Sequence, residues 1–327
     1  YKEKPEFIQQ FVQVQARQHA CLLVLVINQP ENDVDSHPQA ALFEYVHTLG
    51  TNSWQSRTSD RHPVNLTLVA IRNTSSAILV VDRFSQPLPE NEGVGLARKI
   101  GADILSYLYC RQQIKSPYLY STDADATLPV TYFDATKDLV QSDVACCFNF
   151  LHASKDKKVH EANALYESAL KYYVAGLRYA NSPYAFFTIG SILAIRFETY
   201  IAVRGFPKKS AGEDFYLMNK VAKLGQIAWL PNDVIRLEAR ISDRVPFGTG
   251  PAVSKIISLQ ERNEAYCYYH PQVFSELKHL YEQLPQLVQK RHRITDWLAI
   301  HSNLFSSALC SIGFLSFIKK QADSTDE

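Results

Sequence analysis

Four short stretches of the chain carry residue types at spacings suited to holding a metal ion or a phosphate group. The first is Tyr118-Leu-Tyr-Ser-Thr-Asp123-Ala-Asp125-Ala-Thr-Leu-Pro129, in which two carboxylates follow directly on an apolar run. Carboxylates at the end of a buried strand are costly unless a cation or a hydrogen-bond network balances them. Mg²⁺ or Mn²⁺ takes such oxygen ligands and completes its octahedron with diphosphate oxygens and water. A D-x-D triplet arises by chance about once in a chain of this length and average composition, so its placement carries the weight. The plain alternative is that the two acids cap the turn into the next helix.

The second stretch, Glu92-Gly-Val-Gly-Leu-Ala-Arg98-Lys99, opens a helix with two glycines and sets two cations in its second turn. A glycine-rich helix start can turn backbone N–H groups toward an anion, although G-x-G also marks an ordinary turn followed by a solvated basic face. The third, Gly212-Glu213-Asp214, sets two acids at another helix start, where the helix dipole favours them in any protein. The fourth, Ile241-Ser-Asp243-Arg244-Val-Pro-Phe-Gly248-Thr-Gly250, has the composition of a mobile loop with glycine hinges and one fixed cation, Arg244, able to grip phosphate.

The elements that must position these groups read as an α/β chain. Residues 20–27 are a continuous apolar run of the kind a parallel strand buried on both faces shows. Helical spacing of Ala41, Leu42, Tyr45, Val46 and Leu49 stops at Gly50. Strand-like runs follow at 65–71 and 77–82, then a helix from about 95 to 109, then the strand 117–122 that ends in the acidic pair. Further on come an amphipathic helix at 160–180, an apolar run from Phe186 to Ile195, and a helix from Gly212 to Gly225; after 250 the chain is mostly helical. This order predicts an open, mostly parallel sheet flanked by helices, with ligands at the carboxyl ends of the strands.

Bulk composition narrows the function classes. Lys and Arg number 34 against 33 Asp and Glu, so no net field draws the chain to nucleic acid, and none is expected as a partner. The six cysteines form no C-x-x-C pair, as in a reducing compartment, and the first twenty residues have no apolar leader core; a cytoplasmic protein is expected. Residues 297–318 are mostly apolar between basic flanks, a layout compatible with peripheral membrane contact. His301, Asn303 and five serines interrupt the run, which falls short of the roughly 20 clean apolar residues of a spanning helix. Trp297, Ile300, Leu304, Ala308, Ile312 and Leu315 recur at helical spacing and favour a helix packed on the protein.

In this order the motifs resemble the family-2-like glycosyltransferases of the A-type nucleotide-sugar-binding fold. The pieces that carry the resemblance are Glu-Gly-Val-Gly-Leu-Ala-Arg98, the D-x-D motif Asp123-Ala-Asp125, Arg204-Gly205-Phe206-Pro207 and Glu213-Asp214, spread over residues 20 to about 250. The resemblance implies a catalytic, nucleotide-sugar-binding domain at 1–250 with a helical insertion at about 155–180, and a helical C-terminal extension at 251–327. It further implies a hexosyltransferase-like enzyme that moves a sugar, with inversion, from a nucleotide-diphosphate donor to an acceptor hydroxyl on a glycan, a lipid-linked molecule or a small molecule. By that resemblance Asp125 binds Mn²⁺ or Mg²⁺ directly, Asp123 assists through water or the ribose, and Asp214 is the base, with Glu213 beside it. Arg98, Arg244 and Asn28 then stand at the donor. The sequence departs from the family at Asn28-Gln-Pro-Glu31 and at Arg72-Asn73, where nucleobase-reading residues are expected.

Two other readings use the same residues. Asp123-Ala-Asp125-Ala-Thr127-Leu128 also fits the nucleophile motif of haloacid-dehalogenase-like phosphatases, but that motif normally follows the first strand of its domain and here three strand-like runs precede it. A non-catalytic binding protein on the same fold would explain the altered nucleobase positions, but it has no need of intact acids at Asp125 and Asp214.

Overall fold

A computed structural model describes residues 3–56, 65–241, 248–289, 296, 303–314 and 316–318. In chain order the elements are α1 (Glu6–Gln13), α2 (Gln15–Gln18), β1 (Leu22–Pro30), α3 (His37–Thr48), β2 (Gly50–Gln55), β3 (Asn65–Ile71), β4 (Ala77–Leu88) and α4 (Gly93–Cys110). There follow β5 (Tyr118–Ser121), β6 (Ala126–Thr127), β7 (Asp143–Ala153), α5 (Lys157–Tyr179), β8 (Leu193–Arg196), α6 (Phe197–Ala202), α7 (Glu213–Val221), β9 (Gln226–Glu238) and α8 (Thr249–Glu261). The C-terminal helices are α9 (Pro271–Gln289) and α10 (Asn303–Ser311).

The strands form two sheets, one ordered β1-β4-β3-β2 and the other β5-β8-β7-β9-β6. The α/β class expected from the sequence is present, with mixed pairing. β1 runs parallel to β4, in register Val24 to Leu79, and β7 runs parallel to β9. The remaining pairs are antiparallel, for a local reason at β3–β4: residues 72–76 reverse the chain in one tight turn, with Asn73 left-handed at φ 59° and the Ile71 amide donating to the Ser76 carbonyl at 3.0 Å. A parallel connection would need a crossover of about a dozen residues.

β4 carries the core of the first sheet, with Ile78, Val80 and Val81 at most 1% exposed. Such burial on both faces requires the aliphatic run that the sequence supplies there. α4 lies against β1, and Gly101 allows the approach: a Cβ there would stand 3.3 Å from a methyl of Val26. In the second sheet β7 and β8 bury Ala145 to Phe148 and Leu193 to Ile195.

The chain divides into two compact units, one of residues 1–168 and 186–266, the other of 169–185 and 267–327. α8 falls in the first, past the boundary at 250 expected from the sequence, because its Val253 and Ile256 pack with Val159, Ala162 and Ala239. In the second unit Phe305 and Leu309 of α10 are buried against Leu280, Leu284, Phe314 and Ile318. That face differs from the expected stripe: Ala308 is exposed and Ile312 is 73% exposed, while Trp297, Ile300 and Leu315 lie outside the described residues. Among the described residues no helix is long and apolar enough to cross a membrane.

Candidate active site

β5 ends at Ser121, so Asp123 and Asp125 stand just beyond its carboxyl end, and Ala126 and Thr127 immediately pair with Leu237 and Arg236 of β9. The two acids turn to different partners. Asp123 accepts from Nη2 of Arg98 at 2.5 Å, and Asp125 accepts from Nη2 of Arg240 at 3.1 Å.

Arg98 reaches the acids from the second turn of α4, and its side chain is only 11% exposed. Its Nε donates to Glu213 at 2.9 Å, and its Nη1 to the hydroxyl of Ser121 at 3.0 Å and to the carbonyl of Gly190 at 3.3 Å. Gly190 permits this approach, since a Cβ there would fall 2.6 Å from the guanidinium. Burial alone would lower the Arg98 pKa, but Asp123, Glu213 and Asp214 together hold it above its ordinary value. Arg98, expected among the donor-binding groups, lines the same cavity as Asp123 and Asp125 and joins two acidic motifs that lie about ninety residues apart in the chain.

Asp214 sits one residue beyond Glu213 in the first turn of α7, whose N-cap Gly212 is left-handed at φ 73°. Glu213 is buried and bound to Arg98, whereas Asp214 is half-buried and accepts from the Phe215 amide at 2.7 Å. Burial first, and then the charge of Glu213, push the Asp214 carboxyl up to about 6, against the opposing pull of Arg98. A carboxylate with that pKa is ionised at neutral pH and still basic enough to take a proton. Asp123 contributes in the same upward direction, so the strand-end acid and the helix-start acid belong to one electrostatic cluster.

The glycine-rich start of α4 is not an open anion cradle. The Gly95 amide donates to the Lys209 carbonyl at 2.9 Å, and a Cβ on Gly95 would meet the Pro207 and Lys209 carbonyls at 2.5 Å. These glycines let the segment 207–210 lie across the helix end. Asn28, near the end of β1, lines the same cavity of about 1630 Å³ as Arg98, Asp123, Asp125 and Arg240. Arg244 lies outside the described residues.

Arg240 is the site residue that the sequence reading passed over. It follows the end of β9 by two residues, and the Glu238 amide donates to the Asp125 carbonyl at 3.3 Å, which brings its side chain beside Asp125. The outer side of its guanidinium holds Glu3: Nη2 donates to Oε1 at 2.6 Å and Nη1 to Oε2 at 3.1 Å.

Whether Mn²⁺ or Mg²⁺ fits here depends on these pairings. Among the described residues no three His, Cys, Asp or Glu side chains converge as a metal site. That alone decides nothing, because such ions often use one or two carboxylates plus substrate phosphates. The arginines decide it: a divalent ion on Asp125 would come within a few ångströms of Arg240. Two unit charges about 4 Å apart interact by about 4 kcal/mol at an effective dielectric of 20, and a divalent ion doubles the repulsion. The acids as arranged are already neutralised and do not fit a metal ion.

No protein-family model and no curated protein matches the sequence. Solved structures similar to it include the following two. One is residues 1–349 of S. aureus TarS in complex with UDP-GlcNAc, at 8% identity and a TM-score of 0.44, covering 87% of this chain and 71% of that one. The other is GalNAc-T7 with UDP, GalNAc and Mn²⁺, at 13% identity and a TM-score of 0.40, covering 84% of this chain and 50% of that one. Both are glycosyltransferases, and the likeness is one of general architecture. The roles assigned to residues rest on this chain alone.

Proposed function

We propose that this chain is a glycosyltransferase that moves a sugar from a nucleotide-diphosphate donor to an acceptor hydroxyl. The observation that carries the reading is the joining, through Arg98, of the strand-end acid Asp123 to the helix start that bears Asp214. The strand-end motif lines a cavity large enough for a nucleotide-sugar, and Arg98 ties it to the helix start whose Asp214 carboxyl is raised to about 6.

In this reading Asp214 accepts the proton of the acceptor hydroxyl as its oxygen bonds to the anomeric carbon and the bond to the diphosphate breaks on the opposite face, with inversion. Glu213 and Arg98 act as positioning residues that fix the start of α7 against the end of β5. Mn²⁺ or Mg²⁺ at Asp125, the arrangement expected from the sequence, would supply positive charge to the leaving diphosphate, and it requires Arg240 to leave that carboxylate. The phosphatase reading loses support, because Asp123, its required nucleophile, is held by Arg98.

Thermal-shift screening of the full chain against UDP, GDP, CMP and TDP, each with and without Mn²⁺, is the direct test. Stabilisation by one nucleotide, followed by turnover of the corresponding nucleotide-sugars, is expected. A chain that responds to none of the four, while accumulating phospho-aspartate at Asp123, would be a phosphatase.

A further inference from the structure

Arg240 has the features of a built-in cation at the donor's diphosphate. Its guanidinium is anchored to Asp125 on one side and makes a fork-to-fork contact with the Glu3 carboxylate on the other. The same planar fork matches two oxygens of a phosphate, and an anion of that geometry is what Glu3 supplies. The Arg240 side chain is 34% exposed, and it lines the cavity together with Asp123, Asp125 and Glu3. Arg98 also lines that cavity, but its side chain is 11% exposed and its donors are committed to Asp123, Glu213, Ser121 and the Gly190 carbonyl.

We propose that Arg240 itself takes the donor's diphosphate, in place of a divalent ion at Asp125, and that Glu3 holds that position until the donor displaces it. The inference rests on the glycosyltransferase reading and specifies how that site meets the donor's charge. Asp125 serves as the anchor that orients the guanidinium. Glu3 is the competing anion, so donor affinity reflects the exchange of one carboxylate for a diphosphate on the same fork. Because arginine stays charged throughout the working pH range, the site needs no metal loading.

Calorimetry with the full chain treated with EDTA tests this, using as probe the nucleoside diphosphate selected by thermal shift. Binding should persist in EDTA and change less than about threefold on adding Mn²⁺. Arg240→Gln should weaken binding at least about tenfold, the loss expected for a charge-assisted hydrogen-bonded pair. Glu3→Gln, which leaves Arg240 in place, should strengthen it several-fold, and it keeps the test valid if Arg240→Gln folds poorly. Binding that requires Mn²⁺, or a Glu3→Gln chain with unchanged or weaker affinity, overturns the inference and leaves the glycosyltransferase reading standing. No binding of any nucleoside diphosphate in either condition overturns both.

Discussion

Two arginines in this chain each hold a pair of carboxylates, and the two assemblies differ in how far water reaches them. Arg98 and its partner Glu213 are 11% and 6% exposed, its second acid Asp123 is 41% exposed, and Arg98 also donates to a hydroxyl and a carbonyl. Arg240, with Asp125 and Glu3, is 34% exposed on a cavity wall. Similar groups therefore carry different energetics. In a buried cluster the desolvation of each ion has already been met by its partners, and removing one strands the others. Where water can replace a lost partner, the same contact adds little to stability and is free to exchange for a ligand. Burial thus separates the residue that holds the site together from the residue that can take part in binding.

The largest expected effect follows from the first half of that comparison. Arg98→Met should destabilise the fold by about 3 kcal/mol, because Glu213, 6% exposed, loses its countercharge where water cannot replace it, while Asp123, 41% exposed, is rehydrated at little cost. Urea unfolding monitored by circular dichroism reads it as a lowered midpoint, and a loss below about 1 kcal/mol would break the comparison.

Next in size is the base. Asp214→Asn should lower transfer by about 10²-fold or more while nucleotide binding persists, and the acidic limb of the wild-type rate profile should fall near pH 6, following the raised carboxyl. Stability should move the opposite way. A carboxyl raised in the folded state gives its full stabilising contribution below its unfolded pKa, near 3.8, and loses it as pH climbs through about 6. Asp214→Asn should therefore melt higher than the wild type at pH 8, by no more than about 3 kcal/mol, and equal to it below pH 4. A rate profile with no limb between pH 5 and 7 would remove Asp214 from the chemistry.

A smaller effect tests the contact that closes the start of α4. Gly95→Ala should cost about 1–3 kcal/mol, because the added methyl would stand 2.5 Å from two backbone carbonyls that cannot move aside cheaply. An unchanged melting temperature would reopen that helix end as an anion site.

Much of the frame was legible in the sequence, and the omissions have physical causes. β4 shows as an unbroken aliphatic run because it is buried on both faces, β1 as a similar run that is half-buried along most of its length, and β3 as an alternation of buried and half-buried residues. The acidic pair after β5 and the acids opening α7 stand where their surroundings put them, just past a strand end and in a first helical turn. β9 was hidden by Pro231-Asn-Asp233, which reads as a turn. The strand carries those residues as a bulge: Phe148 pairs with Leu230 while the next residue, Asn149, pairs with Val234. Without β9, nothing in the sequence singles out Arg240, and the cation expected there is Arg244 in the stretch that follows. The partners of Arg98 lie 23 to 115 positions from it and the Arg240–Glu3 contact spans 237, separations that no local pattern encodes. On α10, Phe305 and Leu309 rather than Ala308 and Ile312 face inward, because spacing fixes a period but leaves open which stripe meets a neighbour.

The smallest expected effect is the sharpest test of the comparison. Arg240→Gln removes a cation from two carboxylates, as Arg98→Met does, yet it should lower stability by only about 1 kcal/mol or less. Glu3 and Asp125 are 16% and 22% exposed at the cavity wall, so water and counterions can approach them once the guanidinium is gone. Their mutual repulsion should weaken further with added salt, which screens exposed charges and leaves a buried cluster nearly unaffected. Urea midpoints of both variants at low and high salt read the difference directly. Arg240→Gln should converge on the wild type as salt rises, while Arg98→Met stays destabilised at every concentration. If Arg240→Gln instead loses as much as Arg98→Met and salt restores neither, both arginines are structural and the donor's charge must be met elsewhere.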